Sequence, residues 1–145
     1  MSLPEPYPGL VISYAYLWWE EFRQGREEGR KDRPCAVVVA RRIEADQTVV
    51  TVVPITHSPP DDSVTAIEIP AATKARLGLD AERSWVVLDE TNDFLWPGPD
   101  LRPRAGGHGA DIAYGPLPPR FFRQLRNQLL AVYETGRLRR VQRTQ

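Results

Sequence analysis

In the stretch GREEGRKDRPCAVVVARR, residues 25–42, a run of charges meets a core-like apolar run at Arg33-Pro34. A guanidinium matches two phosphate oxygens and keeps its charge at ordinary pH, so Arg33 suits a phosphate or another anion. Pro34 fixes the backbone just after it and disfavours helix at Arg33 itself, which restrains the root of the side chain. A second apolar run closes on Pro54-Ile55-Thr56-His57. The Thr56 hydroxyl can donate to a phosphate oxygen. His57 follows directly, and histidine as a residue type suits acid or base work. Glu28 is the alternative base, and Asp32 and Glu28 are positioned in sequence to orient the guanidinium. Arg33, Thr56 and His57 are therefore expected to line one concave, polar site, with Arg33 held at its mouth. Each also has a plainer reading. Arg33 can sit in a surface ion pair, Thr56 can bond backbone at a strand end, His57 can be a polar loop residue, and Glu28 can belong to a solvated run.

Around these residues lie groups that could hold a substrate. Trp18 and Trp19 can stack bases, and adjacent residues cannot both face inward on one element, so one is expected at an exposed patch. Lys31 adds a cation in the charged loop. Trp85 and Trp96 read as core or interface. His108, in the sequence GGHG, does not suit catalysis, and two histidines so far apart make no metal motif. A single cysteine, Cys35, excludes a disulfide framework and a cysteine-rich zinc site; in its apolar strand it reads as a buried, inert thiol. Neither a metal nor a cofactor is expected.

The chain has 145 residues, the size of one domain with its own core. With 41% hydrophobic and 26% charged residues it reads as a soluble globular protein. The start MSLPEPYPG has neither a basic region nor an apolar core, so no secretory signal or membrane span is expected, and a cytoplasmic location follows. The zero net charge hides a separation. Residues 102–145 carry nine Arg against Asp111 and Glu134, while residues 34–101 carry five basic and eleven acidic side chains. Such a division suits either a nucleic-acid partner or a second copy of the chain, basic face against acidic face.

The elements that must position these groups are mostly strands. Leu10 to Tyr16, PCAVVVARR, QTVVTVVPIT, SVTAIEIP, RSWVVLDE and DFLWP read as strands from their β-branched and aromatic content. In SVTAIEIP, Val64 and Ala66 are expected on one face, with Thr65, Ile67 and Ile69 on the other. Residues 17–31 read as a short helix or long loop, with Gly25 and Gly29 ending or fraying it. AATKARL reads as a short helix stopped at Gly78. Residues 97–119 contain six Pro and five Gly, so a flexible loop without regular structure is expected over 97–117. Pro118-Pro119 suit a helix start, and Phe121, Phe122, Leu125, Leu129, Val132 and Tyr133 keep a helical period to a stop at Gly136. Residues 137–145 read as a solvated basic tail. The fold class expected is mainly β with helical decoration: one strongly bent sheet of five to seven strands closing toward a small barrel, with residues 119–135 as its only long helix.

The order of a Gly-led first strand, a long charged loop, DRPCAVVVA, VVPIT and VVLDE resembles the PemK/MazF group of bacterial growth-inhibitor toxins over roughly residues 9–135. The resemblance implies an SH3-like barrel with a C-terminal helix, a homodimer, a partner antitoxin, and metal-independent cleavage of single-stranded RNA. It places Arg33 at the family's loop arginine, Thr56 at the Thr/Ser closing the third strand, and Glu28 where some members carry an acid. The chain departs at DETNDFLWPGPD. Asp89 fits, Glu90 replaces an amide, and Asn92 stands near the place of an arginine that some members use in catalysis, which makes Asn92 a candidate substrate contact. The alternative reading is a catalytically inactive or CcdB-like barrel that acts by gripping a protein partner or target.

Overall fold

The structure is a computed structural model that describes residues 3–29, 31–107 and 111–143. Its strands are β1 (Leu10–Tyr14), β2 (Arg33–Glu44), β3 (Gln47–Thr56), β4 (Ala66–Glu68), β5 (Trp85–Val87), β6 (Glu90–Trp96), β7 (Ala113–Pro116) and β8 (Arg139–Gln142). Helices α1 (Trp19–Arg23), α2 (Ala71–Leu77) and α3 (Pro119–Glu134) decorate them. The main path runs β4-β5-β3-β2-β1-β7. Pairing is antiparallel except between β6 and β8, which run parallel.

Strand β3 is the branch point. Thr48 to Val52 pair with β6, while Ile55 and Thr56 pair with β5, so the sheet divides and curls instead of lying flat. The result is a β-rich, barrel-like fold, as the sequence suggested. Both faces of the central strands are covered. Val11, Ala36, Val38, Val53 and Ile55 pack against Phe121, Leu125 and Val132 of α3. Their strand neighbours Ile12, Tyr14, Cys35, Val37, Val50 and Val52 form a second core with Phe94 and Ile112. The period-2 alternation thus sends successive residues into two cores, which is why these strands read as near-continuous apolar runs. Burial pushes the Cys35 thiol well above its ordinary pKa, and the side chain is inert packing.

Three expectations need correction. Among the described residues there are eight strands and not five to seven. One extra strand, β7, comes from the Gly/Pro-rich stretch. Strand β1 would otherwise present an open edge, and Val11 pairs there with Gly115, with Ser13 N–H donating to Ile112 O at 2.8 Å and Arg102 N–H to Ser13 O at 3.0 Å. Backbone demand overrides the loop composition. The other described residues of that stretch are irregular apart from a bridge between Leu101 and Tyr14, and His108 lies outside the described residues.

The other extra strand, β8, replaces the expected solvated tail. Val141 is fully buried and Arg143 is 8% exposed. The tail's charges have acidic partners waiting: Arg140 pairs with Asp93 at 2.8 Å and Arg143 with Asp100 at 3.0 Å. Thr144 and Gln145 lie outside the described residues. The third correction concerns residues 63–70. Asp62 caps a short 3-10 turn at Ser63–Thr65 by accepting from Val64 N–H, so only Ala66–Glu68 are left as strand and Val64 is exposed. Helix α3 follows the prediction to within a residue and is the only long helix among the described residues. No helix there is long and apolar enough to cross a membrane.

Candidate functional site

A cavity of about 700 Å³ opens where β2 begins and β3 ends. Arg33, Thr56 and His57 line it, together with Trp18 and Lys31. The strand register explains the meeting. Cys35 pairs with Pro54 across β2 and β3, which brings the residues just beyond that pair to the same rim. Arg33 Nη1 donates to Ile55 O at 3.4 Å. Its guanidinium stacks 4.9 Å from the centre of the Trp18 ring. Arg33 Nε is buried without a hydrogen-bond partner. The expected orienting acids do not do this work. Asp32 pairs with Arg102 at 3.5 Å, and Glu28 is exposed and off the cavity lining. An aromatic face and one carbonyl hold Arg33, so much of its donor capacity is unspent.

Thr56 Oγ1 accepts from Ser58 N–H at 3.2 Å, which leaves the hydroxyl proton for another acceptor. His57 Nε2 lies 2.8 Å from Asp80 Oδ2. The other oxygen of Asp80 accepts from Lys74 Nζ at 2.6 Å. Lys74 is 4% exposed, and its ammonium also donates to Ser84 Oγ at 2.6 Å and to Glu82 O. The hydrogen bond from Lys74 holds the Asp80 carboxyl below its usual range. Lys74 and Asp80 were not singled out in the sequence. The helix-stop pattern ARLGLD marked the turn, and an Asp two residues beyond its glycine was the only hint.

Possible ligand atoms of His57, Asp80 and Glu82 lie within 4.8 Å of one another. The ammonium on Asp80 places a fixed positive charge against any cation bound there. The trio reads as an ion-paired cluster and not as a metal centre.

Two expected substrate contacts lie elsewhere. Asn92 is fully buried: it accepts from Leu17 N–H at 2.9 Å and donates to Leu17 O at 2.8 Å, fixing the chain between β1 and α1. It is not at a surface a substrate could reach. Trp19 is absent from the cavity lining and sits against Arg139, 4.3 Å from its ring centre. Trp18 is therefore the tryptophan at the site. A second hollow, about 460 Å³, adjoins the first through Trp18, Thr56 and Ser58 and continues past Asp62 and Asp89.

Taken together, the mouth of the barrel offers a cation with spare donors, a hydroxyl proton, an imidazole on a carboxylate and an aromatic face. Groups of these kinds can bind an anion and move a proton. Comparison with curated proteins finds no match. A family described as "PemK-like, MazF-like toxin of type II toxin-antitoxin system" matches residues 15–93, a little over half of the 145-residue chain, from the end of β1 to within β6. That span contains Arg33, Thr56, His57, Lys74 and Asp80, and the chain belongs to the PemK-like, MazF-like toxins of type II toxin–antitoxin systems.

Proposed function

We propose that the chain is a growth-inhibiting endoribonuclease that cuts single-stranded RNA without a metal. The observation that carries this is the convergence of Arg33, Thr56 and His57 on one polar cavity. Such cleavage uses the neighbouring 2′-hydroxyl as nucleophile. It needs a base for that proton, a proton for the leaving oxygen, and positive charge for the phosphorus. Arg33 supplies the charge, with Thr56 donating to a second phosphate oxygen. His57 takes part in proton transfer in place of Glu28, which is off the lining. Trp18 offers a face for a base, and Lys31 a further cation for the backbone.

A type II system implies an antitoxin partner. We assign a homodimer and a cytoplasmic location to this reading as well. The charge separation does not itself support a dimer, because Arg137, Arg140 and Arg143 are paired with Asp62, Asp93 and Asp100 of the same chain. Exposed Val39 and Ile43 on β2, and Leu130 and Tyr133 on α3, are a better motive. The deciding experiment is incubation of the purified chain with a single-stranded RNA in EDTA. Cleavage that is lost in Arg33→Ala is expected. RNA left intact by the wild type would sink the nuclease and leave the target-gripping alternative.

A further inference from the structure

We propose that Lys74 and Asp80 are positioning residues that fix the His57 ring and its tautomer, making Nδ1 the base that takes the 2′-hydroxyl proton. This rests on the endoribonuclease reading above and names the atom that acts and the residues behind it.

The chain of contacts begins with a buried ammonium. Lys74 sits on α2 with its side chain 5% exposed, and its three donors are accounted for by Asp80 Oδ1, Ser84 Oγ and Glu82 O. A buried ammonium is tolerable only when so satisfied. It fixes the Asp80 carboxylate in place and keeps it ionised. An ionised carboxylate only accepts hydrogen bonds. The ring nitrogen that faces it at 2.8 Å must therefore carry the hydrogen, and that nitrogen is Nε2. In the neutral imidazole the lone pair is then on Nδ1. Asp80 thus plays the part of a carboxylate that sets tautomer and ring orientation while another group does the chemistry.

Several charged and titratable groups surround the His57 ring. Asp80 and, at 3.8 Å, Glu82 face it from the α2–β5 connection, with Lys74 behind them on α2. Arg33 at the start of β2, Lys31 and Asp32 just before it, and Tyr114 from β7 share the cavity. The step balances without any further reagent. The O2′ proton passes to Nδ1 as the O2′–P bond forms and the P–O5′ bond breaks. The leaving oxygen takes a proton from water at the open side of the cavity. The products are a 2′,3′-cyclic phosphate and a 5′-hydroxyl, and the imidazolium returns its proton to solvent.

The test pairs two readouts on the full chain. Imidazole nitrogen–hydrogen correlation spectra, with the His57 signal identified by its loss in His57→Gln, should show the Nε2–H tautomer in the wild type. Asp80→Asn should give a mixture or the other tautomer. Cleavage of a short single-stranded RNA in EDTA, followed across pH, should fall by about 10²-fold or more in His57→Gln and in Asp80→Asn. The acid limb of the wild-type rate profile should vanish in His57→Gln. A wild-type chain that cuts no RNA overturns the functional reading and the base role with it. A chain that cuts RNA overturns this assignment alone if its His57 is the Nδ1–H tautomer. It does the same if the His57→Gln or Asp80→Asn rate and pH profile match the wild type.

Discussion

Arg143 and Arg33 are held in opposite ways. Arg143 has a side chain only 2% exposed and donates to Tyr14 Oη, Ala15 O and Asn92 Oδ1, with Asp100 at 3.0 Å. Arg33 has one long bond to a carbonyl, a tryptophan face, and a buried Nε without a partner. Both guanidiniums are near apolar strands. One is enclosed and matched by acceptors, and the other borders a cavity with donors to spare. A satisfied buried network specifies a fold, whereas unspent donors at a concave rim are what a ligand can use. The same contrast separates Asn92, spent on Leu17, from Thr56, whose hydroxyl proton is free to be given.

The sharpest way to break this comparison is to remove Arg143. In Arg143→Ala the largely buried Asp100 carboxylate and Asn92 Oδ1 lose a common donor, and β8 loses its anchor. A loss of about 3–5 kcal/mol in urea unfolding is expected. A loss below about 1 kcal/mol would mean that β8 is not held as described. Arg33→Ala should do the reverse. Its unfolding free energy should stay within about 0.5 kcal/mol of wild type, while cleavage in EDTA falls by about 10²–10³-fold. An Arg33→Ala chain that unfolds, or one that cuts normally, would erase the distinction.

The sequence shows one side of this contrast much better than the other. Arg33, Thr56 and His57 could be placed together because strand runs and a proline define where β2 begins and β3 ends, whereas the pattern does not say which of Trp18 and Trp19 joins them. Local pattern carries that information. The Arg143 network was invisible because it joins residues 14, 92, 100 and 143, and nothing local announces a parallel strand after a glycine stop. RLRRVQRTQ has the composition of a solvated tail, and only the acids on β6 and at Asp100 turn it into structure. Strand β7 was missed for a related reason: the open edge of β1 asks for a partner, and a Gly/Pro-rich stretch can answer. Nothing in AATKARL sets Lys74 apart from other helix lysines, and its burial against Asp80 comes from the tertiary fold.

A smaller effect should come from the loop that carries Arg33. The backbone of Gly29 lies so close to the chain after β1 that a Cβ there would collide with the carbonyls of Ala15 and Tyr16. Gly29→Ala should therefore cost about 1–3 kcal/mol. It should also lower cleavage, because the loop and Trp18 must shift together. An alanine variant with wild-type stability and rate would show that the loop is not seated against β1.

The smallest effect concerns Glu90. Its carboxyl accepts from Trp19 N–H at 2.9 Å and from Tyr16 Oη at 3.1 Å. Burial nevertheless dominates and holds its pKa above the ordinary carboxylate value. The folded protein therefore binds this proton more readily than the unfolded chain does. The stabilising contribution is complete below the unfolded pKa and is lost as pH rises through the folded one. Near pH 8 the chain keeps a largely buried carboxylate where a neutral amide would serve. Glu90→Gln preserves an acceptor for Trp19 N–H and removes the charge. Its melting temperature should exceed wild type at pH 8 by on the order of 2 °C. The gain should shrink as the pH falls toward 4.5, the ordinary glutamate value, where the raised pKa keeps more of the carboxyl protonated in the fold than in the unfolded chain. A gain that is the same at both pH values would trace the effect to packing. A loss at pH 8 would show that hydrogen bonds to the ionised carboxylate outweigh its burial.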